Sequence, residues 1–133
     1  MMEYIFELIE KIKNKQLQIL ELERELHYLK ESKAMKEREK KDIEASVWNE
    51  VVFDKELKNE AQRRARYQQK LEEWGAYLGI LDRIAELDKK ISDLIYAIKK
   101  ENIELEFLKR LYEIEKIRKE KTKELIEENH FWG

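Results

Sequence analysis

The sequence predicts an all-α protein: a long antiparallel helical hairpin of coiled-coil type, with a short extended or β-like connection around 46–58. Three observations predict it. Charged residues make up 44% of the 133 residues, proline is absent and glycine occurs three times. An average domain carries about 25% charge, and proline and glycine are the residues that punctuate a many-element fold. Hydrophobic residues still reach 42%, more than a disordered chain carries. Those residues also recur in alternating steps of three and four, which keeps one face of a helix apolar. The organisation expected is a single helical-hairpin domain over 1–133, with a helix at 3–45, a connection at 46–58 and a second helix at 59–128. Such a fold buries a narrow seam, so its stability rests on length and on association with other helices.

The first helix is marked by Ile5, Leu8, Ile12, Ile19, Leu22, Leu26 and Leu29, with the charged Lys15 in one slot of the stripe. Phe6, Ile9, Leu17 and Leu20 widen the stripe beyond a two-stranded seam. From Lys30 to Lys41 the apolar residues thin to Ala34 and Met35, which reads as a solvated helical extension. The segment 46–54 is SVWNEVVFD. Val47, Trp48, Val51, Val52 and Phe53 are β-branched or aromatic and favour extended backbone. That composition predicts the connection, as a short strand or β-hairpin; an amphipathic helix fits the same residues.

Asn59 is a good N-cap, and Gln62 stands three residues on, as in a capping box. The second stripe runs through Tyr77, Ile80, Ile84, Leu87, Ile91, Leu94, Ile98, Leu105, Leu108 and Tyr112, with the charged Glu101 in one slot. Gly75 and Gly79 lie in this run, where each costs about 1 kcal/mol. They mark a kink, a break near 75–79, or close packing against another helix. Fraying is expected near Asn129, leaving His130, Phe131, Trp132 and Gly133 as a tail. Placing Leu29 opposite Leu87 and Leu8 opposite Leu108 defines one register. In that register Lys15 stands opposite Glu101, so the two charged breaks face each other as a register pair. The other reading is that both snorkel to solvent.

No enzyme active site is expected, and no catalytic residue, cofactor or metal. Cysteine is absent, which removes disulfides and thiolate metal sites. His27 has Glu23 and Glu31 one turn to either side, a spacing that can hold a metal, although a solvated face of so charged a helix explains the trio. The glycines form no phosphate loop. Ser32, Ser46 and Ser92 lack the strand–turn–helix setting and the histidine base of a nucleophile. No apolar run approaches the ~18 residues of a membrane span. Glu3 and Glu7, with no basic start, argue against a secretory signal. A soluble cytoplasmic protein is therefore expected, and the Lys/Glu richness suits a thermophile.

Two features point to partners. The segment Lys58–Lys70, KNEAQRRARYQQK, carries a local charge of +4, which leaves −6 for the rest of a chain whose net charge is −2. Lys58, Arg63, Arg64, Arg66 and Lys70 could contact phosphates while Tyr67 stacks on a base. The alternative is an ordinary solvated face that answers Glu37, Glu39 and Glu44 on the first helix. The second feature is surplus aromatic surface: Trp48, Phe53, Trp74, Phe131 and Trp132 exceed what a two-helix seam buries and predict an oligomer interface. A homo-oligomer, dimer or four-helix tetramer, is the expected assembly.

The layout resembles a group of small phage and prophage coiled-coil proteins of unknown function. These have a leading helix, an extended connection, a motif close to S/K-N-E-x-x-R-x-A, and a long helix with an L-x-x-L-R/K-R-x stretch. Here the motif is matched by Lys58, Asn59, Glu60, Arg63 and Ala65, and the stretch by Leu105, Leu108, Lys109, Arg110 and Leu111. The chain departs from the group in having Phe53, Asp54 and Lys55 where an Asp-Gly-type turn is usual. The resemblance implies an accessory role beside DNA-processing proteins. Prefoldin subunits, which pair two helices across β-hairpins, are a weaker likeness. The function expected is a non-enzymatic interaction or assembly protein; the alternative is a nucleic-acid-binding accessory protein of replication or recombination that uses the basic face at 58–70.

Overall fold

The computed structural model describes the backbone of residues 2–132 and the side chains of residues 3–128. The fold is all-helical: α1 (Met2–Val52), α2 (Glu60–Glu73) and α3 (Gly75–Trp132), with no strand among the described residues. None of these helices is long and apolar enough to cross a membrane. The chain forms two compact units. Unit 1 joins Met1–Glu25 to Leu94–Gly133, and unit 2 is Leu26–Asp93.

The extended connection expected at 46–58 is not formed. Residues 46–52 continue α1, and only 53–59 leave helical geometry. Burial explains the difference. Val47 and Val51 stand one turn apart, and both are buried against Leu71 of α2 and Tyr77 of α3. Strand propensity spans only about 1 kcal/mol, whereas fully burying one such side chain contributes about 1.5–3 kcal/mol. Tertiary packing therefore outweighs the local preference.

The turn that follows is short and held locally. The Leu57 amide donates to the Asp54 carbonyl at 3.3 Å, and the Glu56 amide donates to Asp54 Oδ1 at 3.0 Å. Asn59 then caps α2, its Oδ1 accepting from the Gln62 amide at 2.8 Å. The Gln62 side chain reaches back, but to the Lys58 amide, one residue beyond the cap. The chain breaks again at Trp74, whose ψ of 103° is extended. Its amide donates to Leu71 and its carbonyl starts α3 by accepting from Leu78. The break expected near 75–79 falls at Trp74, directly before Gly75, which opens α3. A Cβ added to Gly75 or Gly79 meets no atom of the chain within 4 Å. α3 runs on to Trp132, past Asn129, where fraying was expected.

In unit 2 the core is the cluster Val47, Val51, Leu71 and Tyr77, flanked by Ile43, Trp48, Leu57, Tyr67 and Leu81. Leu87, 0% exposed, is the most deeply buried side chain of that unit. In unit 1 the buried residues are Leu8 and Ile19 on α1 and Leu105 on α3. The half-buried positions around them keep the heptad steps: 5, 12, 15 and 22 on α1, and 98, 101, 108 and 112 on α3. In both helices of unit 1 the stripe seen in the sequence is thus the inward one.

Candidate interaction surface

Lys15 and Glu101, the charged breaks of the two stripes, meet. Lys15 Nζ lies 2.5 Å from Glu101 Oε2 and 2.7 Å from Glu104 Oε2. The Lys15 and Glu101 side chains are both mostly buried, whereas Glu104 is exposed. Hydrogen bonds to Glu101 and then Glu104 raise the Lys15 pKa above its ordinary value, and the bond from Lys15 lowers that of Glu104. The sequence contained no hint of Glu104 as a second partner, because it lies on the flank of the stripe.

The basic segment is largely engaged within unit 2. Lys70 Nζ lies 3.0 Å from Glu50. Tyr67 packs edge-on against Trp48 with ring centroids 5.4 Å apart, and burial, followed by Glu44, raises its pKa. The same ring lines an open hollow with Trp48, Glu60, Arg64 and Gln68. Arg63 is half-buried and 4.0 Å from Glu60, and Arg64 Nε is 3.5 Å from the same carboxylate. Arg66 donates to Gln69 at 3.1 Å, and the Lys58 side chain is exposed. The first-helix acids proposed to answer this face have other partners. Glu37 pairs with Lys33, Glu39 pairs with Lys36, and Glu44 accepts from the Tyr77 hydroxyl at 3.1 Å. The answering acid is Glu50.

The surplus aromatics divide. Trp48 is half-buried against Tyr67, whereas Phe53 is 80% exposed and Trp74 partly exposed. Phe131 and Trp132 lie outside the described side chains, as does His130. His27 Nε2 lies 3.1 Å from Glu31 on an exposed face. Among the described residues no group of three or more acids and histidines could hold a metal.

The largest repeated feature was only half read from the sequence. On α1, Phe6, Ile9, Leu17 and Leu20 are exposed, as the widened stripe suggested. On α3, Tyr96, Ile103, Phe107, Ile114 and Ile117 are exposed as well, Ile103 at 72% and Phe107 at 62%. Helix geometry gives about 100° per residue. Ile103 and Phe107, each two residues from the buried Leu105, therefore lie on nearly the opposite side of α3. Phe6 and Leu17 stand two residues from Leu8 and Ile19, and Ile9 and Leu20 one residue from them, so the α1 row is turned about 100–160° from its buried face. The α3 row advances in heptad-compatible steps, whereas the α1 row repeats at eleven residues, Phe6 to Leu17 and Ile9 to Leu20. The signal was present: apolar residues recur one or two positions from members of the inner stripe. It was masked because a sequence stripe is read for one face at a time. Ile103, Phe107 and Arg110 line one shallow hollow on α3, and Ile9, Lys13, Lys109 and Tyr112 line another within unit 1. No protein-family model matches the chain, and no curated protein or solved structure does either.

Proposed function

We propose that the chain is an antiparallel helical hairpin of coiled-coil type that works, without catalysis, by binding other helices through the outer rows of unit 1. One observation carries this reading: α1 and α3 are apolar on two faces in unit 1, and their mutual packing uses only one. A helix apolar on both sides is one that is covered on both sides, and a repeated row of Ile, Phe, Leu and Tyr is a surface for association rather than scattered exposure. The heptad spacing of the α3 row suits an incoming helix seated by knobs-into-holes packing. The likeness of Lys58–Ala65 to the phage-type motif supports a setting among phage or mobile-element accessory proteins.

Photo-crosslinking in the producing cell tests the reading. A photoreactive residue at Phe6, Leu20, Ile103 or Phe107 should give protein adducts, while one at the exposed Arg38 or Lys41 of unit 2 should give few. Adducts no more frequent in unit 1 than in unit 2 would sink the proposal.

A further inference from the structure

We infer that the hollow of unit 2 beside Trp48 and Tyr67 binds an unpaired guanine base of a single-stranded nucleic acid. The site is separate from the outer rows of unit 1, so the inference stands independently of what covers those rows. Three observations lead to it.

The first is an aromatic wall. α1 supplies Trp48 and α2 supplies Tyr67, with the ring planes at 89°. Both rings are half-buried, and both still line the hollow. The same two side chains pack against the core formed by Val47, Val51, Leu71 and Tyr77. A base would therefore meet rings already held in place, which lowers the ordering cost of binding. Stacking on aromatic side chains is how unpaired bases are commonly held, and it tolerates every base.

The second is the polar row that would choose among bases. Glu60, Arg64 and Gln68 follow one another at one-turn steps along α2, and all three are exposed on the hollow. Arg64 Nε lies 3.5 Å from Glu60 Oε1. An exposed pair of this kind gains little over water, so each partner can exchange the other for a ligand. Guanine carries two adjacent N–H donors, N1–H and N2–H₂, which one carboxylate can accept together. Its O6 and N7 acceptors lie beside them and are the usual targets of arginine. Adenine, cytosine and thymine each offer a carboxylate a single donor group. A neighbouring carboxylate and guanidinium thus match the guanine edge best.

The third is the charge around the hollow. Glu60 by itself would repel an anionic strand. The segment Lys58–Lys70 nevertheless carries +4 with Glu60 counted. Lys55 and Lys58 are exposed on the turn that leads into α2, and Arg66 is exposed on the helix. Cations so placed attract a phosphate backbone. The hollow is open, so a base can enter while its sugar and phosphates stay outside.

Fluorescence anisotropy of labelled single strands, titrated with the full chain at low salt, tests the inference. One strand is all thymine, and three others carry one central guanine, adenine or cytosine. The guanine strand should bind several-fold more tightly than the other three. Glu60→Gln should remove that preference at unchanged helicity and leave binding of the thymine strand within about twofold. Guanosine monophosphate should displace the guanine strand at several-fold lower concentration than adenosine monophosphate. No binding of any strand, equal affinity for all four, or a guanine preference that persists in Glu60→Gln would each overturn the inference. Equal displacement by the two nucleotides would do the same.

Discussion

In unit 2 the large apolar side chains mostly go inward. Val47, Val51, Leu71 and Tyr77 converge from three helices, and Leu87 is fully buried. Four of the exposed apolar residues there stand near chain breaks, Val52 and Phe53 at the end of α1, and Trp74 and Leu78 where α2 gives way to α3, while Tyr28 and Met35 are exposed within α1. Unit 1 uses the same two long helices differently. It buries Leu8, Ile19 and Leu105 and leaves a second row of comparable side chains in water. α2 supplies the contrast: in unit 2 a third helix covers α1 and α3, and in unit 1 no segment of the chain does so among the described residues. Unit 2 brings a third helix onto its core, and unit 1 leaves a second apolar row exposed.

The largest effect should separate inner from outer positions. Leu87→Ala removes a fully buried side chain and should cost about 2–5 kcal/mol in chemical denaturation at any protein concentration. Ile103→Ala, in the outer row, should cost less than about 0.5 kcal/mol at high dilution. Its cost should grow as concentration rises, because binding to the folded state adds stability by mass action. An Ile103→Ala penalty independent of concentration would erase the distinction between the units.

Alkaline pH should loosen unit 2 more than unit 1. Burial, then the Glu44 hydrogen bond, pushes the Tyr77 pKa up to about 12 from 10.0. Tyr67 is raised by burial and Lys33 by its hydrogen bond to Asp88. In unit 1 the corresponding group is Lys15. A group whose pKa is raised on folding contributes stability that is full below its unfolded value and is lost as pH rises through the folded one. The Trp48 and Trp74 fluorescence should therefore change between pH 10 and pH 12, and Tyr77→Phe should shrink that transition. An unchanged transition in Tyr77→Phe would dissociate it from unit 2.

Lys15→Met tests the polar break of unit 1. It leaves Glu101 and Glu104 without their shared cation, and loss of charged hydrogen bonds of this kind costs about 1.5–3 kcal/mol when buried and less at a partly wet seam. The lowered Glu104 pKa contributes stability that is present above the ordinary carboxylate value and is lost as pH falls through the lowered one. The variant should therefore melt earlier at neutral pH and lose less on acidification, as followed by circular dichroism.

The smallest expected change is a gain. Gly79→Ala places a methyl where no atom lies within 4 Å, at a residue without positive φ, and should stabilise α3 by about 0.5–1 kcal/mol.

The inner face was legible from the sequence because heptad spacing and helix geometry are the same regularity. Leu8, Ile19, Leu87 and Leu105 were all named by spacing and all are buried. Lys15 and Glu101 stood out because each interrupts that spacing. The segment 46–52 was misread as extended because Val and Trp carry a local preference that only the distant contacts with Leu71, Tyr67 and Tyr77 reverse. The packing of Tyr67 against Trp48 was not legible because it depends on the turn at 53–59. The outer row of α3 was overlooked because Ile103 and Phe107 fall between members of the inner stripe. Their meaning emerges once Leu105 is known to point inward.

Static light scattering across a wide concentration range tests the central claim most directly. The homo-oligomer expected from the sequence, when held by the outer rows of unit 1, should give a particle of at least twice 16.4 kDa, reduced toward a single chain by Ile103→Glu with Phe107→Glu at unchanged helicity. A mass of one chain at every concentration would contradict the account.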